Sequence, residues 1–410
     1  MPQKDFEGTY MHSYIKYYTP LVLIAFPFIN TTYAAAFDRS GQPITDFFQN
    51  GTYAQVSYNY SIPNVSGKDT GLSSQGQPNH IGNISNNTAS FRGAIKTDLD
   101  EKISLGLIYD QPFNIDLKHR GQTDFVSQFS NKPPEGTQAT LESHNLTGLV
   151  GLNINKYIGI YAGPVLEEIE GEIKLRGQTY KGSANYNAEL HSDYAPGWVA
   201  GFSLKKPELG LKSSLTYRSK IKHETRTTEQ FTALSNDVYI LPVTFTSPES
   251  VNFDFQTGLS KKTLLTANIR WVPWKDFEFK PTKLAERTAP ASPDKTGIPL
   301  LKYEKDQWSA QIGVAQKLTN KLSVSTSILW DGGLGDPANA LGPVNGYWGA
   351  GLGVQYNFSP EWAVSIGGRY LWVGDAKAKR QNGDIVGSFE DNNSTAIGLK
   401  LSYQKKPKRS

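Results

Sequence analysis

Apolar and polar residues alternate along short segments of this chain, most regularly in its C-terminal half. From Trp348 to Phe358 every second residue is apolar, whereas the intervening residues are Gly, Gln and Asn. Because successive side chains of a β-strand point to opposite faces of the sheet, each such segment predicts a strand with one apolar and one polar face. The same alternation recurs in segments that begin at Trp308, Leu322, Trp362 and Ile397.

The polar faces of these segments indicate a membrane environment rather than a soluble β-sandwich, in which strands would also alternate. They carry Gly, Ser, Asn and Gln but few of the Lys and Glu residues that cover soluble surfaces. The apolar faces end in aromatic residues, as the interface girdles of a membrane barrel do. We therefore predict an all-β fold, a transmembrane antiparallel β-barrel.

The order of turns and loops predicts the number of strands. Six short turns and seven longer polar segments make thirteen connections, hence about fourteen strands of roughly ten residues each. An even number places both chain ends on the periplasmic side. The barrel is predicted at residues 52–403 and a basic periplasmic tail at 404–410. Short turns are expected at residues 98–102, 154–156, 205–208, 260–262, 319–321 and 359–361.

The N-terminal residues have the three parts of a secretory signal peptide. Two lysines precede the apolar stretch Leu21–Ile29, and small residues follow at 34–36. We predict a signal peptide at residues 1–34, with Ala36 as the alternative cleavage position; the other interpretation is a buried strand behind a disordered tail. Residues 35–51 would then form a short plug inside the barrel, and the protein would reside in the outer membrane of a Gram-negative cell.

The composition of the chain limits the functions it can have. None of its 410 residues is cysteine, which excludes disulfides and cysteine-ligated metals. The net charge of +4 comes from 42 basic and 38 acidic residues, a balance that does not indicate nucleic-acid binding. No apolar run reaches the length of about 18 residues that a transmembrane helix requires. None of the six histidines has a metal-ligand spacing, so we expect neither a metal nor a cofactor.

Several stretches occur in an order that is informative as a set. The first stretch runs from Gly197-Trp198 to Ser219, and the second is the triplet Ser247-Pro248-Glu249. The third contains Trp330, Asp331, Pro337, Pro343, Tyr347, Trp348, Gly353 and Tyr356. Together they resemble the FadL-type family of outer-membrane transporters for long-chain fatty acids and other hydrophobic compounds, toluene among them. The stretches are similar to the family's sixth to eighth and eleventh to twelfth strands, and they cover most of the mature chain.

The resemblance implies a monomeric barrel with a lumen partly plugged by the N-terminal segment and loops. Hydrophobic cargo, above all long-chain fatty acids, would bind at outer loops, enter an internal apolar pocket and leave sideways at a kinked third strand. The implied partners are hydrophobic small molecules, either fatty acids or aromatic hydrocarbons, and outer-membrane lipid. The family's plug normally carries an Asn-Pro-Ala motif, which this sequence lacks, so the plug is expected to be truncated.

The third predicted strand contains a proline, in the run Tyr109-Asp110-Gln111-Pro112-Phe113. Proline cannot donate to a sheet ladder and is expected at edges or bulges, yet a closed barrel has no edge. Pro112 therefore predicts a local break in strand pairing. Given the resemblance, Pro112 and Phe113 are the candidate lateral gate; the alternative is an ordinary bulge where the strand leaves the membrane.

Apolar residues in two long outer loops are candidates for ligand binding, because so much apolar surface is costly when it is exposed. The alternative is that the run folds into the lumen or extends a strand. Tyr157 and Tyr161 are predicted to line the lumen from the fifth strand. The loop candidates are Phe125 and Phe129 in the second long loop, and Phe231, Tyr239, Ile240, Leu241, Val243 and Phe245 in the fourth, at residues 222–250.

Arg218, Arg270 and Arg369 are predicted to face the lumen, where an arginine could pair with a fatty-acid carboxylate. The alternative, which is more common for such arginines, is a pair with an acidic residue of the plug.

Two other functions are compatible with a barrel. A general diffusion porin would require a charged constriction and trimer contacts, whereas this chain offers apolar loops. A barrel-embedded hydrolase would require a nucleophile in contact with a base. Ser143-His144 and His191-Ser192-Asp193 contain the residue types, but adjacency in sequence is not triad geometry. We therefore predict a transporter with no catalytic residue.

Overall fold

The computed structural model describes residues 38–380 and 382–405; the predicted signal peptide and most of the predicted tail lie outside them. Within this part of the chain, fourteen antiparallel strands form one barrel. They are β1 Thr52–Asn64, β2 Thr88–Asp98, β3 Ile103–Asp110 continued by Asn114–Lys118, β4 Gln138–Asn153, β5 Ile158–Lys174, β6 Tyr186–Lys206, β7 Leu211–Arg218, β8 Ser250–Gly258, β9 Thr263–Val272, β10 Gln307–Lys317, β11 Leu322–Asp331, β12 Tyr347–Asn357, β13 Trp362–Val373 and β14 Asn393–Lys405.

The barrel closes where the last strand pairs with the first. β14 runs antiparallel to β1, from Thr52 opposite Lys405 to Asn64 opposite Asn393. In lipid no water satisfies unpaired backbone N–H and C=O groups, so a sheet can span the membrane only when it is closed. The predicted number of strands is confirmed, and each predicted short turn is present to within two residues.

Side-chain exposure alternates along the strands as the sequence pattern predicts. On β14, Ile397, Leu399 and Leu401 face outward, whereas Lys400 and Ser402 are buried in the lumen. Outward-facing aromatic side chains mark both ends of the apolar band. The outer girdle contains Trp198, Trp308, Trp348 and Trp372, and the inner girdle contains Phe358, Trp362 and Tyr403.

Three neighbouring strands are much longer than the predicted ten residues: β4, β5 and β6 contain 16, 17 and 21 residues. The predicted loop at residues 222–250 is a hairpin of Ile221–Phe231 and Tyr239–Ser247, and its first strand pairs with β6. The prediction of a loop was wrong here because it relied on polar composition. Outside the membrane both faces of a strand can be polar, so polar residues do not mark the end of the strand.

The outer loops cover the barrel on the side of this hairpin. A short helix, α1 at Thr282–Thr288, lies beside the hairpin, and the buried Glu229 carboxylate accepts hydrogen bonds from the main-chain N–H groups of Lys283 and Leu284 at 2.9 and 2.8 Å. In the described residues, no helix has the length and apolar character needed to cross a membrane. A small outer sheet completes the cover with Ala338–Asn339, Ala376–Lys379, Ile385–Phe389, Gly67–Asp69 and His80–Ile81.

The first described residues, 38–51, lie inside the barrel against its inner wall, where the short plug was predicted; we call them the plug. A 3-10 turn at Thr45–Phe48 places the Phe47 ring directly over Gly106 and Gly151. A side chain at either glycine would collide with the ring. The wall is therefore shaped to accept this aromatic residue.

Polar contacts hold the plug from several sides of the barrel. Arg270 of β9 pairs with Asp38 at 2.5 Å, and Arg92 of β2 pairs with Asp46 at 2.9 Å. On β7, Lys212 donates to a main-chain carbonyl of the plug at 2.8 Å. Because buried charges are stable only when they are paired, these contacts fix the position of the plug.

The Arg270–Asp38 pair leads to a test of the plug. An Asp38→Ala variant leaves Arg270 buried without its carboxylate, which costs about 3–5 kcal/mol and should loosen the plug. We expect single-channel conductance in planar bilayers to rise severalfold. The control is Asp384→Ala, which removes the carboxylate of an exposed pair with Arg380 in an outer loop. A conductance of Asp38→Ala equal to that of the control would contradict the prediction.

Candidate functional site

Strand β3 is interrupted at Pro112. Its first part ends at Asp110 and its second begins at Asn114, so the predicted break in pairing is present. β2 and β3 pair as far as Gly93 opposite Tyr109, and the ladder stops there.

Closer to the outer loops, the chain segment that precedes β2 pairs again with β3, in the same register. The Asn86 N–H donates to the Asp116 carbonyl at 2.9 Å, and Ser85 forms a bridge with Leu117. We call the opening between the Gly93–Tyr109 pair and the Asn86–Asp116 pair the window. At about 3.3 Å per residue, it extends roughly 23 Å along the wall.

Within the window, backbone groups of β3 form hydrogen bonds with a side chain of β4 and with the plug rather than with β2. Ser143 Oγ of β4 accepts the Phe113 N–H at 2.8 Å. In the plug, Arg39 donates its main-chain N–H to the Pro112 carbonyl at 2.6 Å and its Nε to the Asn114 carbonyl at 2.9 Å. Unbonded backbone groups are costly away from water. The plug therefore completes the wall where the ladder fails.

An apolar pocket lies between the window and the outer loops. It is a partly open cleft with about 770 Å³ of space between its lining atoms, open solvent included, and its lining is almost entirely apolar. Phe113 of the window forms part of its wall, and the Trp274 ring packs edge-on against Phe113 with centroids 6.0 Å apart. Trp274 is held by its Nε1–H, which donates to Gln307 Oε1 at 2.8 Å. The lining also includes Ile115, Leu141, Ile169, Leu190, Phe277 and Leu301.

The predicted residues of the fourth loop divide between the two faces of the hairpin. The inner face buries Phe231, Val243 and Phe245, and Phe245 lines the pocket. Ile240 points the other way, is 55% exposed and lies outside the pocket lining, so its role in ligand binding stays a prediction. The physical reason is strand alternation, which places neighbouring residues of one apolar run on opposite faces.

Two further residues of the same run lie at the edge of the buried core. Tyr239 and Leu241 are partly buried, and the Lys283 ammonium group lies 4.6 Å from the centre of the Tyr239 ring. Neither residue belongs to the pocket lining.

Phe125 and Phe129, predicted as the opposing wall, do not belong to the pocket lining; the Phe125 ring packs against Tyr180 of the next outer loop, with centroids 6.2 Å apart. Phe125 is fully buried and stacks on His119 with ring centroids 4.2 Å apart. Burial lowers the pKa of His119 to about 3, so its imidazole is neutral near pH 7. Phe129 is partly buried beneath the Lys132 ammonium group, 4.2 Å from the ring centre.

The two tyrosines predicted on the fifth strand have different positions. Tyr161 faces the lumen as expected, but it contacts Phe47 and Phe48 of the plug, with ring centroids 6.1 and 5.3 Å apart. Tyr157 was wrongly placed: β5 begins one residue later, so Tyr157 lies in the inner turn and is 41% exposed.

The three predicted arginines are all buried on the inner face of the barrel. Arg270 is bound to Asp38, which is the plug pairing that the alternative interpretation described. Arg218 donates Nη1 to Thr147 Oγ1 at 3.2 Å, while its Nε and Nη2 have no hydrogen-bond partner among the described residues. Arg369 lies on β13.

Other buried polar atoms near Arg218 also lack hydrogen-bond partners. Asn145 of β4 lies opposite Asp110 of β3, two residues along β4 from Thr147. Within the described chain, neither amide atom of Asn145 nor Oδ1 of Asp110 is hydrogen-bonded. Buried polar groups are nearly always bonded, to protein, water or ligand, so this cluster is a candidate site for a polar group of a ligand. We call Asp110, Asn145 and Arg218 the polar niche.

The residues considered for hydrolysis are separated by the strand geometry. Ser143 faces the lumen, whereas its neighbour His144 faces outward. Asp193 bonds Nδ1 of the buried His223 at 3.0 Å, and His191 bonds a threonine of the hairpin. These contacts are structural links between strands rather than a nucleophile activated by a base.

Sequence reasoning missed the part of the pocket formed by the fifth outer loop. Trp274, Phe277 and Phe279 follow the end of β9 within seven residues, and Leu301 pairs with Phe279. The cluster of aromatic residues in a segment read as polar was the available signal.

Comparisons with known proteins agree with this architecture. Residues 44–406 match the family model described as "Outer membrane protein transport protein (OMPP1/FadL/TodX)". No curated protein sequence matches the chain. A solved FadL homologue of Pseudomonas aeruginosa is 16% identical with a TM-score of 0.67, covering 92% of this chain and 99% of that one. The Ralstonia pickettii toluene transporter TbuX is 11% identical with a TM-score of 0.58, covering 92% and 96%. The Pseudomonas putida toluene transporter TodX is 13% identical with a TM-score of 0.56, covering 87% and 90%. At sequence identities of 11–16%, the similarity to these solved structures shows the fold alone.

Phe245 and Ile240 provide a matched test of the pocket, because they lie on opposite faces of one hairpin strand. Phe245→Asp places an unpaired carboxylate in an apolar cleft, at a cost of several kcal/mol. We expect at least tenfold weaker binding of an apolar fluorescent dye in an equilibrium titration. Ile240→Asp should bind the dye within twofold of the unmodified protein. Equal losses in the two variants would show that the cleft is not the binding site.

Proposed function

The chain belongs to the OMPP1/FadL/TodX family of outer-membrane transport proteins, and we propose that it takes up long-chain fatty acids and releases them sideways into the membrane. The family transports hydrophobic compounds, and its solved members include transporters of toluene as well as FadL homologues. Cargo identity and exit route are therefore proposed from the geometry of this chain.

The observation that carries the proposal is the position of Phe113. This residue lines the apolar pocket and also lies within the window in the barrel wall. An acyl chain bound in the pocket is therefore already at the opening and need not cross the polar lumen. Burial of each methylene contributes about 0.8 kcal/mol, which favours a long apolar chain in such a cleft.

Arg218 of the polar niche supports a carboxylate on the cargo, because the Asp110 carboxyl group of the niche already pairs with Arg92 at 3.4 Å. Arg218 lies opposite Ser250, two residues after Pro248 of the pocket lining. Its Nε and Nη2 are the two adjacent donors that a carboxylate accepts in bidentate geometry. Asn145 offers a further donor beside them. A fatty acid would thus bind its head in the niche and its tail in the pocket, whereas an aromatic hydrocarbon would use the pocket alone.

Pro112 and Phe113 are the proposed lateral gate, and the membrane is the proposed acceptor. The window faces lipid between two strands, so an apolar cargo moves from one apolar environment to another without contacting water. The path lies within one barrel, and the proposed working unit is a monomer in the outer membrane.

A specific observation favours a second candidate, the diffusion of small polar solutes. A partly open cavity, about 1150 Å³ with open solvent included, lies between the plug and strands β7 to β11, and its lining includes Lys212, Asp254, Gln256 and Asn268. This cavity would conduct ions if the plug moved. A large steady conductance of the unmodified protein would favour the porin.

An Arg218→Met variant tests the assignment of cargo. Loss of a charged hydrogen bond costs about 1.5–3 kcal/mol, so we expect initial oleate uptake by cells with equal barrel levels to fall at least tenfold. Toluene uptake should change less than twofold. The control is Arg226→Met on the exposed outer face of the hairpin. Unchanged oleate uptake, or equal losses for both cargoes, would contradict carboxylate binding by Arg218.

A further inference from the structure

The inner end of the window is closed by a side chain rather than by the sheet ladder. Two residues beyond the Gly93–Tyr109 pair, the same register would place Phe91 opposite Gln111. The chain bends at Pro112 instead, and Gln111 Oε1 accepts the Phe91 N–H at 2.8 Å. The side chain of Gln111 thus replaces the main-chain acceptor that Phe91 lacks.

Gln111 is positioned by the outward face of the neighbouring strands. Its Nε2 lies 3.5 Å from Nδ1 of His144 on β4, a long contact at the limit of hydrogen bonding. The Tyr109 hydroxyl lies 2.6 Å from the same ring nitrogen. His144 is therefore held mainly by Tyr109, and Gln111 is tied to it only weakly.

The two ends of the window differ in how firmly they are closed. At the outer end, Asn86 makes a main-chain bond to Asp116 at 2.9 Å and a side-chain bond at 2.6 Å. At the inner end only side chains join the strands: Gln111 accepts from Phe91, and Arg92 forms a long ion pair with Asp110 at 3.4 Å on the lumen side. A side chain changes rotamer on the nanosecond scale, whereas separation of a strand ladder requires cooperative loss of several bonds. The inner end is the one that can move.

We propose that Gln111 is the latch of the window. While the bond is made, the free edge of β2 runs from Asn86 to Phe91, about 17 Å. When the Gln111 side chain turns away, Phe91 is released and the free edge reaches Gly93, the full length of the window. Phe91 is 53% exposed on the lipid side, where its ring packs against Tyr58 with centroids 4.9 Å apart. The Phe91 and Tyr58 rings therefore lie at the edge of the opening that moves. The inference rests on the proposed sideways release and adds the positioning residue that controls it.

Two variants separate the acceptor atom from the bulk of the side chain. Gln111→Met has similar length but no strong acceptor, whereas Gln111→Glu keeps a carboxylate oxygen for the Phe91 N–H. Hydrogen exchange is measured by NMR on full-length barrel with 15N-labelled phenylalanine. The internal reference is the amide of Phe253, which lies in a continuous ladder between β7 and β9.

We expect the Phe91 amide to exchange at least tenfold faster in Gln111→Met, with Phe253 unchanged. Gln111→Glu should restore Phe91 exchange to within threefold of the unmodified protein. Initial oleate uptake should rise at least twofold in Gln111→Met and not in Gln111→Glu.

Two results would overturn the inference in different ways. Phe91 exchange unchanged in Gln111→Met would show that Gln111 is not a latch and would leave sideways release untouched. Faster Phe91 exchange with unchanged oleate uptake would instead contradict sideways release through the window, and with it the role of the latch in transport.

Discussion

Satisfaction of backbone hydrogen bonds in lipid is the constraint on which the rest of this structure depends. It requires a closed barrel, and fourteen strands meet the requirement by pairing β14 with β1. At Pro112 the ladder fails, since proline has no N–H and the chain bends inward. Backbone groups of Phe91, Pro112 and Phe113 that the ladder does not bond are instead bonded by Gln111, by Arg39 of the plug and by Ser143. The plug thus supplies hydrogen bonds at the place where the ladder between β2 and β3 is interrupted.

The same break organises the interior of the barrel by polarity. On its outer side, Phe113 and Trp274 join an apolar cleft formed by the extended strands β4 to β6 and the hairpin. On its inner side lie the polar niche and the charged pairs that anchor the plug. Arg270 is engaged by the plug, whereas Arg218 keeps two donors without a hydrogen-bond partner among the described residues. Arg270 therefore holds the plug, whereas Arg218 is suited to binding a ligand.

Local patterns in the sequence predicted the barrel and its break, because both depend on short-range rules. Period-two alternation marked the strands, and Pro112 marked the break in the ladder between β2 and β3. The pocket depends on side chains from distant segments, such as Ile169, Phe245 and Trp274, and no local rule brings these together. Prediction and structure differ where a rule was applied beyond its range. Ile240 lies in the same apolar run as Phe245 but on the opposite face of the strand. Tyr157 is an even number of residues from the inward-facing Tyr161, but β5 begins only after it.

The central claim is that cargo leaves through the window, and photo-crosslinking of the cargo tests it most directly. A long-chain fatty acid with a diazirine at its terminal carbon is bound to the barrel in vesicles, irradiated, and located by mass spectrometry of the digested chain. The account predicts labelling at Phe113, Ile115 and the facing edge of β2. Labelling instead at Lys212, Gln256 and Asn268, in the polar cavity beside the plug, would place the exit along the barrel axis and contradict it.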